Sequence, residues 1–491
     1  VTASRPGEIG KWPYRHGNTI GRAWTLGFLL LAVLAGPFLV LHVPPGHVPD
    51  ERNHILRADS LLHGEFIGHR AVQDGRLVEG VVANAALARV ITLPPAPLDT
   101  APHPITPVQK WLATQVPWDS APAFIRAGSI AGYMPLPYVP GAVAIALCRA
   151  AGLSPYIAFL AVRAVNFYCF LVLGASALRI ARRGTALIFV TLLLPMTLSL
   201  AASCSQDGLL IAGSACAIAC LTRAMQTCAR AHTGWLAAAA GLLAFVAAGK
   251  PPYAPLALLL LLPVPAHAAS LARRLGLVLL TILPAAAWSF LEARVASATV
   301  RRLPAEAGPL WPGARPAIFS GPDVAAQIHV LAHHATLIVL LPLQAVCHDA
   351  AGLLRQAVGI LDYVCLTLPV WLYLTWDIGL ACALAAHVCA TGSDARLSWR
   401  DVLLAWSAIL LSVIAIGLAL YVDWTPVGMP WIGGLQGRYF LPLLPALALC
   451  LPRLSHPRLA AVLAAPCIAA AVLSVAVLPG IVSAFYPLAW K

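Results

Sequence analysis

Apolar runs long enough to cross a bilayer recur along this chain, separated by short polar stretches in which arginine is the commonest charge. The first, Trp24 to Val43, has about the twenty residues that a helix needs to span the hydrocarbon core. It is too long for a signal-peptide core and lacks a small-residue cleavage site, so it is expected to remain as a helix. Ten more runs follow: Pro155–Leu178, Thr185–Ser203, Gly208–Ala224, Gly234–Ala248, Tyr253–His267, Leu275–Leu291, Val364–Val388, Asp401–Tyr421, Tyr439–Leu451 and Leu459–Leu478. The pattern predicts an all-α polytopic membrane protein with about eleven transmembrane helices.

The arginines orient these spans. Arg5, Lys11, Arg15 and Arg22 precede the first run, which places the N-terminal head in the cytoplasm. One apolar stretch, Pro137 to Leu153, is short and interrupted by proline. If it crossed, Arg179, Arg182 and Arg183 would fall outside and every later basic loop would invert, so it reads as an in-plane helix on the membrane surface. The resulting organisation is a cytoplasmic head (1–23), helix 1 (24–43), a long extracytoplasmic loop (44–154), helices 2–7 (155–292), a second outer loop (293–363), helices 8–11 (364–480) and an extracytoplasmic tail (481–491). Arg294, Arg301 and Arg302 in the second loop run against the rule, which long loops obey poorly.

Composition narrows the class. Of 491 residues, 60% are hydrophobic and 10% charged, which excludes a soluble globular chain. The net charge of +13 comes from arginines scattered among short loops, so it marks membrane topology and no nucleic-acid partner. Twelve cysteines contain no C-x-x-C pair and lie mostly in apolar runs, where they act as small hydrophobes.

The candidate chemistry gathers on one side of this topology. Asp50 and Glu51 follow the first span, with His54 and Arg57 one helix face further on. Asp207, Lys250, Tyr253, Asp423, Gln436, Arg438 and Tyr439 stand at the outer ends of later spans, and Arg163 lies inside helix 2 with Asn166 three residues on. Charges at or in a bilayer are costly and mark function or internal pairing. Cations hold phosphate, and a carboxylate accepts a proton from a hydroxyl. The bland alternatives stay open: Asp50 and Asp207 suit helix N-caps, Lys250 a snorkelling anchor, Arg163 a structural ion pair, and the glycines before Arg438 a plain turn.

The ordered set Pro49-Asp50-Glu51-x-x-His54-x-x-Arg57, Tyr138-Val-Pro-Gly, Arg163-x-x-Asn166, Ser205-Gln-Asp207, Lys250-x-x-Tyr253, Gly359-Ile-Leu-Asp362 and Gln436-Gly-Arg438-Tyr439 resembles a family of bacterial predicted membrane proteins labelled a domain of unknown function. Through it the chain resembles the GT-C glycosyltransferases, relatives of protein O-mannosyltransferases and the lipid A aminoarabinose transferase. The resemblance implies a GT-C-like fold with in-plane helices in the first outer loop, in the bacterial inner membrane, with the site facing the exterior. It implies a polyprenyl-phosphate sugar donor, an envelope glycan or lipid acceptor, and membrane lipid as surroundings. Asp50 would be the general base, with Glu51 beside it. His54, Arg57, Asp207 and Asp423 would shape the acceptor side. Lys250, Tyr253, Arg438, Arg163, Gln436 and Tyr439 would hold the donor phosphate and headgroup. No metal ligand is assigned; some relatives use a divalent metal, and the sequence leaves that open. A flippase for a lipid-linked sugar and a non-catalytic subunit of a polysaccharide assembly machine are the alternatives. A transporter would be expected to carry broken helices in paired halves and polar residues at mid-membrane.

Overall fold

The computed structural model of the protein describes residues 13–73, 76–92, 106–226, 232–264, 270–297, 323–362, 364–390 and 397–486. Most of the expected head, Arg230, Arg301, Arg302, Arg396 and the end of the tail lie outside the described residues. The segment before the second span is built from α1 (Pro13–His42), α2 (Glu51–Ser60), β1 (His69–Gln73), β2 (Arg76–Ala83), α3 (Ala85–Thr92), α4 (Pro107–Gln115), β3 (Ala123–Arg126) and α5 (Val139–Ala150). The strands form an antiparallel sheet in the order β1-β2-β3, with His69 opposite Gly80 and Gly80 opposite Arg126. The sequence reading contains no strand here. The alternation that marks β2 is short: Leu77 is exposed, Val78 buried, Glu79 half-buried and Gly80 buried. The apolar helix expected over Pro137–Leu153 is present as Leu136–Ala150, too short to cross a bilayer, and packs against α2 and α6 (Pro155–Ile180).

The remaining helices are α7 (Thr185–Leu193), α8 (Pro195–Ala201), α9 (Asp207–Ala224), α10 (His232–Gly249), α11 (Leu271–Val295), α12 (Val324–His333), α13 (Leu337–His348) and α14 (Ala350–Gly359). After a small hairpin of β4 (Ile360–Leu361) and β5 (Leu366–Thr367) come α15 (Val370–Cys389), α16 (Trp399–Asp423) and α17 (Pro457–Phe485). Side-chain caps set several starts: Ser154 accepts from the Ile157 amide to open α6, and Ser398 and Asp401 form a capping box at α16. The chain is a mostly helical, multi-pass membrane protein. Among the described residues, eight helices are long and apolar enough to cross a membrane: Gly21–His42, α6, α9, α10, α11, α15, α16 and α17. A ninth crossing results if α12 and α13, bent by 104° at their junction, count as one.

The other three expected spans take different forms, each explained by proline. Thr185–Ser203 divides into α7 and α8 at Leu194, because Pro195 holds the preceding residue extended (φ −54°, ψ 137°). Every residue of α7 and α8 except Thr185 is buried, so this pair belongs to the core. Tyr253–His267 and Tyr439–Leu451 become short 3₁₀ helices, Pro251–Leu261 and Gly437–Leu449. Pro255, Pro442 and Pro445 withdraw amide donors that a regular α-helix would use. The expected start of helix 8 at Val364 also moves, to Val370, behind the β4–β5 hairpin.

The bundle is ordered around α9, whose membrane-length window is 94% buried and which packs against α6 and α10. At the other extreme α11 is only 17% buried and exposes Leu279, Leu280, Leu283 and Phe290, a surface suited to lipid tails. The two 3₁₀ helices lean on this centre. Ser214 of α9 donates to the Pro442 carbonyl, and the Tyr253 hydroxyl donates to the Tyr439 carbonyl at 2.9 Å. The starts of the two short helices, Lys250 and Gln436–Arg438, are thereby brought together.

Candidate functional site

Asp50 begins the site. It occupies the N-cap position of α2 but caps nothing with its side chain, and its backbone is left-handed (φ 64°, ψ 6°). Asp and Asn tolerate that region better than most residues. The turn aims the carboxylate away from its own helix. Its Oδ2 accepts from Arg438 Nη2 at 3.0 Å, across 388 residues of sequence. The Asp50 side chain is 48% exposed, whereas that of Arg438 is 5% exposed. Arg438 Nη2 also reaches the Tyr439 hydroxyl at 3.3 Å, and its buried Nε makes no hydrogen bond among the described residues.

A second acid–base pair stands beside the first. Lys250 Nζ lies 2.5 Å from Asp207 Oδ1, and the amide of Asp207 donates to Ser205 Oγ. Tyr439 joins the two pairs, since Lys250 and Arg438 each sit 5.1 Å from the centre of its ring. Two cations from two short helices thus flank one aromatic ring, with a half-exposed carboxylate at the edge. Such an arrangement can pair with an anion and offer a proton acceptor beside it.

Arg438 is placed by its neighbours. Gly437 presses so closely on α14 that a β-carbon would fall 1.9 Å from the Leu353 carbonyl and 2.5 Å from the Ala357 amide. Its amide donates to Gln356 Oε1 at 2.9 Å. Gly437→Ala is therefore expected to push this helix off α14 and cost about 2–3 kcal/mol. A fall in the thermal midpoint together with loss of anion binding checks it. Gln436 itself stands half-buried at the N-cap in extended conformation, and its carbonyl accepts from the Tyr439 amide.

Other expected site residues are turned elsewhere. Arg163 donates through Nε and Nη2 to the two oxygens of Glu51, both at 2.7 Å, and further to the carbonyls of Val40, Val43 and Pro44. All five of its donors are occupied, so none remains for a phosphate. Glu51, wholly buried, also accepts from the amides of Gly46 and Cys204. The pair ties the end of α1 to α2 and to the loop before α9. Arg57 is likewise spent on structure. It donates to the carbonyls of Tyr133, Glu65 and Phe66 and to Ser60 Oγ, and burial lowers its pKa to about 10. Tyr253 is buried, and its hydroxyl donates to the Tyr439 carbonyl, bracing the two short helices against each other. Asp423 closes α16, exposed, and lies outside this set of contacts.

His54 sits behind the pairs. Its Nδ1 is 2.7 Å from the Tyr138 hydroxyl and its Nε2 3.3 Å from Ser205 Oγ. Burial lowers its pKa to about 4, against the opposing pull of Asp207 and Asp50, so it is neutral at pH 7. Burial disfavours the imidazolium only in the folded protein, so the unfolded chain binds the extra proton more readily between about pH 4 and 6.5. Stability is full above that window and falls by about 3 kcal/mol as pH drops through it. Thermal midpoints measured from pH 7.5 to 4.5 should show this decline, and His54→Gln should flatten it. Tyr133, whose ring lies 6.3 Å from that of His54, was not singled out in the sequence. Burial raises the pKa of both Tyr133 and Tyr138 well above the usual value, so both phenols stay protonated. Tyr138 was visible in the Tyr-Val-Pro-Gly motif, but nothing in that motif named His54 as its partner.

Among the described residues no cluster of three His, Cys, Asp or Glu side chains is placed to hold a metal ion. Asp50, Glu51 and His54 point to three different sets of partners, so as they stand they do not fit a divalent ion.

Fold and site together define a multi-pass membrane protein in which two cations and two carboxylates meet around one tyrosine. Residues 32–447 match the family described as "Predicted membrane protein (DUF2142)", and the chain belongs to that family. No curated protein matches. Among solved structures, the crystal structure of ArnT from Cupriavidus metallidurans in the apo state aligns over 87% of this chain and 77% of its own, at 14% identity. The TM-score is 0.29, too low for the likeness to carry an argument.

Proposed function

We propose that the protein is an integral membrane glycosyltransferase of the GT-C kind. It moves a sugar from a polyprenyl phosphate to a hydroxyl of an envelope glycan or lipid, on the outer face of a bacterial inner membrane. The observation that carries this reading is the meeting of a half-exposed Asp50 with buried Arg438, beside Lys250 and across Tyr439. An anion and a proton-donating hydroxyl can be served side by side there.

In this reading Asp50 takes the proton of the acceptor hydroxyl as its oxygen attacks the anomeric carbon. The bond from that carbon to the phosphate oxygen breaks, and the leaving phosphate keeps the electron pair, its charge held by Arg438 and Lys250. One displacement inverts the anomeric centre. Asp207 holds Lys250 in place, and neutral His54 fixes the Ser205 turn that precedes it. Glu51 and Arg163 keep the α1–α2 turn rigid so that Asp50 projects outward. The prenyl tail lies among lipid-facing helices, contributing about 0.8 kcal/mol per buried CH₂.

Reconstitution in liposomes with a fluorescent polyprenyl-phosphate sugar and an envelope extract tests the class. A glycosylated product with free polyprenyl phosphate is expected. Movement of intact donor between leaflets without product would place the protein among transporters, and neither event would leave it a non-catalytic subunit.

A further inference from the structure

Arg163 and Arg438 use the same edge of the guanidinium differently. In Arg163 the Nε–Nη2 edge meets both oxygens of Glu51 at 2.7 Å. In Arg438 only Nη2 reaches a carboxylate, donating to one oxygen of Asp50, while the buried Nε has no hydrogen-bond partner among the described residues. A planar guanidinium edge is matched by two oxygens of one oxyanion. Asp50 therefore half-fills a position that a phosphate would fill. It is also the more exposed partner, with its side chain 48% exposed against 5% for Arg438.

We propose that the Asp50–Arg438 pair is a latch, in which the cation that must receive the donor phosphate holds the base until the donor arrives. This rests on the functional reading above. The phosphate takes the Nε–Nη2 edge and shares Lys250, and the displaced Asp50 swings to the acceptor side with both oxygens free. Donor binds first, and the acceptor hydroxyl meets a competent base only afterwards. A donor-free site does not activate stray hydroxyls or water. The latch has a thermodynamic signature. Asp50 competes with phosphate for Arg438 and repels it, so the carboxylate weakens donor binding while serving the chemistry.

The test is titration of the detergent-solubilised full chain with a short polyprenyl monophosphate, with the neutral polyprenol and inorganic phosphate as parallel arms. Asp50→Asn, which keeps the shape and the left-handed turn, is expected to bind the polyprenyl monophosphate about tenfold tighter than the native chain. The polyprenol should show no gain, and the gain should vanish when Arg438→Gln is added. Equal or weaker binding by Asp50→Asn overturns the latch and leaves the phosphate site standing. A gain that survives Arg438→Gln also overturns it. Binding by neither protein removes the phosphate reading and the latch with it. An equal gain and equal affinity with inorganic phosphate keeps the latch and removes the lipid donor.

Discussion

Asp50→Asn is expected to reduce sugar transfer by about a thousandfold or more, within the range that a positioned general base contributes together with its electrostatics. The substitution removes one proton acceptor and little else. The side chain caps no amide of α2, so no helix bond is lost. Asn accepts the left-handed backbone that Asp50 adopts at φ 64°. The ion pair with Arg438 is lost, but Asp50 is half exposed, and such a pair adds little to stability. The thermal midpoint should therefore stay within a few degrees of the native value while the product disappears. An Asp50→Asn protein that transfers sugar normally would reduce Asp50 to a turn residue.

Arg163→Met is expected to cost about 3–5 kcal/mol, because it leaves Glu51 ionised and buried without its partner. The substitution also strips donors from the Val40, Val43 and Pro44 carbonyls at the end of α1. Glu51→Gln should be nearly as damaging, since it leaves the guanidinium as the uncompensated charge. The double variant should recover part of the loss, as removal of both charges of a buried pair is far milder than removal of one. Thermal unfolding in detergent reads this directly. If Glu51 instead served as a catalytic acid, Glu51→Gln would fold with a native midpoint and fail only in transfer. The two acids are adjacent in sequence, and opposite outcomes for them separate catalysis from scaffold.

That separation shows what the sequence could and could not carry. Residue type and position relative to the spans brought Asp50, Asp207, Lys250, Arg438 and Tyr439 into one candidate set, because on that topology they fall at the outer ends of the spans, where charges are few. Which acid meets which cation depends on contacts between residues hundreds of positions apart, and spacing does not encode them. Asp50, at its left-handed turn, meets Arg438, while its neighbour Glu51 meets Arg163. Apolar runs located the helices, and among the described residues eight are long enough to cross. Hydropathy could not show that Thr185–Ser203 is a buried, broken core segment, nor that proline shortens the helices at Pro251 and Gly437. Those short helices carry Lys250 and Arg438, so the elements hardest to read from periodicity are the ones that build the cluster. The β1–β3 sheet escaped notice because its alternation covers only a few residues amid longer apolar signals.

The most direct measurement is a single-turnover assay of sugar transfer by purified protein from defined polyprenyl-phosphate sugars, with Asp50→Asn alongside. The account predicts that the native protein releases polyprenyl phosphate and forms a product with inverted anomeric configuration. It predicts that Asp50→Asn binds the donor at least as tightly and forms none. Product of equal yield from both proteins, or intact donor with both across every sugar tried, would contradict it.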